Sequence, residues 1–174
     1  MRSHDFHESL EVERRWSPVV DRWLSREYDV RVADREEDRR GIDRFITRPD
    51  GTVTTIDYKH DQQGWKTGNF FMETCSNEAS GREGWALTAE AEWILYHVIT
   101  GAKQTGHPVY LLRVAAIRTH LPWWTRRHPE RRAFNKDKGT GREWTTLGIC
   151  VPFRAADRAV GYALRLGDDC PTTL

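Results

Sequence analysis

Apolar residues recur at helical spacing near the amino terminus. Phe6, Leu10, Trp16, Val20, Trp23 and Leu24 form one stripe over residues 5–26, which predicts an amphipathic helix. Pro18 lies inside it and lacks the N–H that a helix interior uses, so a kink or a division into two helices is expected. "YDVRVA" (28–33) alternates as a short strand does, and the charged "DREEDRR" after it reads as a solvated loop. Two further strands, 42–48 and 52–59, flank "PDG", a hairpin turn in which Pro presets φ and Gly tolerates positive φ. "NFFMETC" (69–75) reads as a strand, "SNEASGREG" as a loop and "TAEAEWILYHVI" (88–99) as a helix with Thr88 as N-cap. "PVYLLRV" is the pattern of a buried strand and "AAIRTHL" of a short helix. Residues 122–142 read as an irregular basic excursion, "WTTLGICVPF" as a last strand and "AADRAVGYALRL" as a closing helix. This order predicts an α/β fold with a mixed sheet. The 174 residues show no repeat or low-complexity linker and are expected to form one domain, 1–174.

Composition removes several classes. The 27 basic and 26 acidic residues nearly cancel, so nucleic-acid binding would have to come from local clustering. No run approaches the ~20 apolar residues that cross a bilayer, so no membrane partner is expected. The first 15 residues have no apolar stretch of the kind a secretory signal carries, which reads as a cytoplasmic chain. Cys75, Cys150 and Cys170 are odd in number and widely separated, which fits neither a disulfide framework nor a zinc site.

The hairpin is where the pattern becomes chemical. Side chains alternate along a strand, so Asp57 and Lys59 share a face while Ile56 and Tyr58 take the other. If "PDG" is a three-residue loop, Arg48 pairs with Thr52 and Asp43 lies opposite Asp57, with Cβ atoms roughly 4.5–5.5 Å apart. Carboxylates that close repel unless a proton or a cation lies between them. Mg²⁺ suits the pair, since it takes oxygen ligands and keeps waters; the Tyr58 carbonyl offers a further oxygen. Lys59 on the same face is placed to stabilise a phosphate oxygen or position an attacking water. A lone D-x-K is common on exposed strand faces. Its weight here comes from the upstream Asp43, the aligning turn and an acidic helix before them. On that helix Glu13 falls within the apolar stripe by spacing, where a carboxylate needs a partner. Glu73 shares a face with Phe71 and Cys75 and is expected to point into a partly buried site.

Glu13, Asp43 and Asp57-Tyr58-Lys59, in that order, resemble the signature of the PD-(D/E)XK nuclease superfamily, with Ile42 where the name-giving proline often stands. The resemblance covers roughly residues 5–115 and implies a restriction-endonuclease-like mixed central β-sheet flanked by helices. It implies that Asp43, Asp57 and the Tyr58 carbonyl hold Mg²⁺ (or Mn²⁺), that Lys59 assists water attack and that Glu13 acts from the helix. "FFMETCSN…GW" is similar to a segment of small phage- or prophage-encoded members, which implies a bacterial or phage-infected cell. A homodimer is one arrangement the resemblance allows.

Seven basic residues, Arg126, Arg127, Arg131, Arg132, Lys136, Lys138 and Arg142, stand against two acids between 126 and 142. Trp123 and Trp124 precede them. Cationic side chains follow a phosphate backbone and aromatics stack on exposed bases, which makes this stretch, with Lys66 of "GWKTG", the expected DNA contact. The first expectation is therefore a Mg²⁺-dependent nuclease acting on DNA, an endonuclease by preference. A protein of the same fold that binds nucleic acid or a protein partner without cutting is the alternative. RNA as substrate and an unrelated α/β domain with surface acids are compatible with the same residues.

Overall fold

The computed structural model describes residues 4–100, 107–137 and 139–166, with side chains for 10–100, 107–137 and 139–156. Its elements begin with β1 (His4–Asp5), α1 (Phe6–Leu24), β2 (Asp29–Val32), α2 (Arg35–Arg39), β3 (Arg44–Thr47), β4 (Val53–Asp61) and α3 (Gly64–Thr67). They continue with β5 (Asn69–Asn77), β6 (Arg82–Glu83), α4 (Trp85–Thr88), β7 (Trp93–Val98) and β8 (His107–Arg113). The last are α5 (Val114–Arg127), β9 (Glu130–Lys136), β10 (Glu143–Pro152), α6 (Phe153–Val160) and β11 (Gly161–Leu166).

The fold is mixed α/β, but its strands make two sheets where one was expected. Six strands run in the order β11-β8-β7-β4-β3-β2 and five in the order β1-β9-β10-β5-β6. In the larger sheet β4 pairs with β7 in parallel and its other ladders are antiparallel. One face of this sheet, with Ile46, Ile56, Tyr58, Leu95 and Val109, packs on Val20, Trp23 and Leu24 of α1. The opposite face, with Ile94, Tyr96, Val98 and Leu112, shares a core with Phe70 and Met72 of β5, Ile149 of β10 and Ile117 and Trp124 of α5.

Several elements depart from the sequence reading, each for a physical reason. α1 runs unbroken through Pro18, because the buried side chains of Val20, Trp23 and Leu24 fix the helix whatever the proline removes. "DREEDRR" contains the short helix α2: the Asp34 carboxylate accepts from the Glu36 and Glu37 N–H groups while Glu37 accepts from the Asp34 N–H. The helix expected over 88–99 is absent, since Thr88 ends α4 and 93–98 form β7. A parallel strand covered on both faces reads as a continuous apolar run, which periodicity cannot separate from a buried helix. The excursion at 122–142 is instead the end of α5, all of β9 and a turn. The closing helix stops at Val160, and from Gly161 the chain pairs as β11 with the edge of β8.

Candidate active site

Hairpin register sets the site. Arg44 pairs with Ile56, Phe45 with Thr55, Ile46 with Thr54 and Thr47 with Val53. Arg48 N–H donates to the Thr52 carbonyl at 2.9 Å, and Gly51, with φ +83°, completes the three-residue turn. This is the alignment that "PDG" predicts. β3 begins at Arg44, one residue after Asp43, so Asp43 lies just beyond the ladder. There its Oδ2 accepts the Tyr58 N–H at 2.6 Å, where a strand carbonyl would otherwise serve. In a strand a residue's N–H and C=O point to the same side, so the Tyr58 carbonyl also faces the end of the hairpin where Asp43 stands.

Asp57 points to the opposite side of the sheet from α1, beside Ile94 on the paired strand, and is 2% exposed. Its Oδ1 accepts from Lys59 Nζ at 2.6 Å, whereas its Oδ2 is buried without a hydrogen-bond partner. Burial raises the carboxyl most, Lys59 opposes and Asp43 adds to the rise, leaving it at about 7. The Asp43 carboxylate lies near enough to disfavour a second negative charge on Asp57. Lys59 is drawn down by burial, but Asp57, Asp43 and Glu73 outweigh that and hold it protonated.

Glu73 reaches the same centre from the other sheet. Half-buried on β5, it is raised by burial against the attraction of Lys59 and a 3.4 Å hydrogen bond from the Trp85 N–H. Gly84 permits this approach, because a Cβ there would lie 2.5 Å from the Glu73 carbonyl oxygen. Trp85 places its ring 6.0 Å from Lys59 Nζ. Glu13 is not inside the stripe as spacing suggests; it is exposed at the rim. Partial loss of water raises its carboxyl, Asp43 raises it further and Lys59 opposes. The structure thus brings Glu13, Asp43, Asp57, Lys59 and Glu73 into one electrostatic group.

Among the described residues no group of three or more His, Cys, Asp or Glu side chains is arranged to hold a metal. The donors at the hairpin are instead two carboxylates and a backbone oxygen. They fit a hard divalent cation: Mg²⁺ is commonly bound through one or two carboxylates with waters completing the shell, and the buried Asp57 Oδ2 lacks a partner.

The basic stretch divides. Trp124 is 1% exposed and belongs to the core, so it is not a base-stacking residue. Trp123 is 43% exposed, with the Arg127 guanidinium 4.3 Å from its ring centre, and Arg126 is exposed beside it. Arg132 is ion-paired with Glu78 and Lys136 with Glu143. Arg131 is exposed and pairs in register with Gly148, which pairs in turn with Glu73. A Cβ at Gly148 would lie 2.6 Å from the Phe71 ring, so the middle of the row from Glu73 to Arg131 is covered by that ring, which only a glycine there admits. Lys66 is exposed on α3 with Nζ 5.4 Å from the Trp65 ring. Lys138 lies outside the described residues.

Sequence reasoning missed Asp21, Arg44, Trp85 and a set of rings between α1 and the sheet. There Ser17 Oγ lies 3.1 Å from His60 Nε2, His60 Nδ1 lies 3.0 Å from His97 Nδ1, and Trp16 packs edgewise on His97 and His107. Burial lowers His60 to about 4 and His97 to about 3, so these rings are neutral at pH 7. One signal was available: Glu13, Ser17 and Asp21 recur every fourth residue, a polar line beside the apolar stripe.

No family model matches the chain, no curated protein matches it and no solved structure matches it.

Proposed function

We propose that this chain is a divalent-metal-dependent nuclease that hydrolyses phosphodiester bonds in DNA, with the restriction-endonuclease-like site its hairpin resembles. The observation that carries the reading is the buried Asp57 oxygen without a partner, set beside a second carboxylate and a lysine. Unpaired buried polar oxygens are costly, and an arrangement that concentrates like charge serves chemistry better than it serves folding. Asp43, Asp57 and the Tyr58 carbonyl would hold Mg²⁺ or Mn²⁺. The bound ion supplies positive charge to the phosphate and to the leaving oxygen.

The chain's own groups supply the rest. Lys59 spends one N–H on Asp57 and has two more for a phosphate oxygen and the attacking water. Water oxygen forms the new bond to phosphorus, the bond to the leaving oxygen breaks, and the water proton must be taken up. Glu73 is half-buried, its carboxyl raised by burial and coupled to the Lys59 charge, and is the group that would take up that proton. Glu13 at the rim would order water beside Asp43 and Lys59. Arg131, Arg126, Lys66 and the Trp123–Arg127 pair are the exposed groups that would contact nucleic acid in this reading, and a second copy of the chain would add its own.

The direct test is cutting of supercoiled, linear, single-stranded and branched DNA with Mg²⁺, Mn²⁺ or EDTA, by the native chain and Lys59→Ala. Metal-dependent cutting that disappears in the variant is the expected result. Binding without cutting by both proteins would sink the catalytic reading in favour of a nuclease-like binder. Cutting of RNA alone would replace the substrate and keep the site.

A further inference from the structure

On the α1 side of the hairpin, Asp21 is the acceptor for three hydrogen bonds. Its Oδ1 accepts from Arg44 Nε at 2.7 Å and from the Tyr58 hydroxyl at 2.9 Å, and its Oδ2 accepts from Arg44 Nη2 at 2.9 Å. Arg44 Nη1 in turn donates to the Asp43 carbonyl at 2.8 Å, and the guanidinium lies 4.9 Å from the centre of the Tyr58 ring. Tyr58 N–H donates to Asp43 Oδ2 at 2.6 Å. These bonds close a ring through three elements: α1, the start of β3 and the middle of β4. Both ends of Asp43, its backbone carbonyl and its carboxylate, are held by partners that Asp21 holds.

We infer that Asp21 is a positioning residue for the divalent cation, aligning the Asp43 carboxylate and the Tyr58 carbonyl through Arg44 and the Tyr58 hydroxyl. The inference rests on the reading of Asp43 and Tyr58 as cation ligands. Asp43 stands at the end of the β3–β4 ladder, where its N–H donates to the Ile56 carbonyl and its carbonyl accepts the Ala33 N–H, each at 2.9 Å; these bonds fix its backbone, and its carboxylate is held separately by the Tyr58 N–H. Bidentate Arg–carboxylate contact is geometrically specific. A largely buried ion pair adds little net stability relative to apolar packing, and its best-attested use is to set register. Here Arg44 and Asp21 are 12% and 23% exposed and lie beside an apolar core of Val20, Leu24 and Ile46 that needs no charge to cohere. The four-residue spacing explains how one helix serves both levels of the strand: Ser17 meets His60 and Asp21 meets Tyr58. Four helical residues rise about 6 Å and two strand residues about 6.6 Å, so the two rows stay in step.

The test is Mn²⁺ binding to the full chain by calorimetry, with melting temperature measured in EDTA and in saturating Mn²⁺. Native protein should bind Mn²⁺, and Asp43→Asn should not. Asp21→Asn should bind ten- to a hundredfold more weakly, the usual loss when an outer partner of a ligand is removed. Its Mn²⁺-dependent rise in melting temperature should shrink whatever its value in EDTA. Tyr58→Phe keeps the carbonyl and N–H and loses one hydrogen bond, so it stays foldable if Asp21→Asn does not; a several-fold weakening is expected. Native affinity in Tyr58→Phe and in any folded Asp21→Asn, with none in Asp43→Asn, overturns the positioning role and leaves the metal reading intact. No Mn²⁺ binding by the native chain overturns both.

Discussion

Two aspartates leave the same face of β4 four residues apart, and they are used in opposite ways. Asp61, at the end of the strand, has its oxygens taken up: Oδ1 accepts from the Gln63 and Gly64 N–H groups and Oδ2 accepts from the Tyr96 hydroxyl at 2.6 Å. It turns the chain out of the larger sheet toward α3, and Tyr96, whose oxygen also accepts the Phe71 N–H, ties the turn to β5. Asp57, mid-strand and more deeply buried, has one oxygen on Lys59 and the other on nothing. One carboxylate completes the fold. The other is left with capacity that only a proton or a cation can use.

The largest effect is expected at Asp57 itself. Asp57→Asn is expected to abolish metal-dependent cutting, a loss on the order of 10³ or more if the ligand is essential, while the variant folds and melts in EDTA no lower than the native chain. Asp61→Asn should do the reverse, lowering the melting temperature by the loss of charge-assisted hydrogen bonds and leaving Mn²⁺ affinity within a few-fold. If Asp61→Asn abolishes Mn²⁺ binding in a folded protein, the division between the two aspartates fails.

The next effect is on pH. Asp57 is raised to about 7 by burial, so the native state binds this proton more tightly than the unfolded chain does. Its contribution to stability is complete below the ordinary carboxylate range and is lost as pH rises through about 7. His60, lowered to about 4 by burial, has the opposite sign: its contribution is present above the ordinary imidazole range and is lost as pH falls toward 4. Melts in EDTA should therefore show Asp57 drawing stability down between the ordinary carboxylate range and about pH 7, with no further loss above it, a component that is missing in Asp57→Asn. Added Mn²⁺ should raise the melting temperature strongly at pH 8 and scarcely at pH 5.5. A metal increment independent of pH would remove Asp57 from the ligand set.

The same partition recurs on smaller scales among the tryptophans and the basic residues. Trp124→Ala should cost about 3–5 kcal/mol of stability, as large core truncations do, whereas Trp123→Ala should leave stability nearly unchanged and weaken DNA binding. Arg131 has no ion-pair partner among the described residues, while Arg132 and Lys136 are engaged by Glu78 and Glu143. Arg131→Ala should lower DNA affinity and reduce the salt slope of binding by about 1; Lys136→Ala should change it less. Equal slopes for the two variants would mean that the row from Glu73 across Gly148 does not carry a phosphate.

What the residues determined alone was local. A three-residue "PDG" turn, two alternating arms and their parity are enough to pair Arg44 with Ile56 through Thr47 with Val53 and to put Asp57 and Lys59 on one face, because turn geometry sets register within a hairpin; Asp43, expected opposite Asp57, lies past the last pair. Burial on both faces was not local. "WILYHV" became a strand only because β4 lay beside it in parallel and apolar layers closed over both sides. Trp124 went into the core because α5 continued through Pro122. Glu13 came to the rim by the way α1 lies on the sheet. Glu73 came to the site from a second sheet, with Gly84 permitting its close approach, and Arg131 fell in register with it across Gly148. Their positions depend on partners tens of residues away, and a pattern of period two or 3.6 specifies a face without specifying what will cover it.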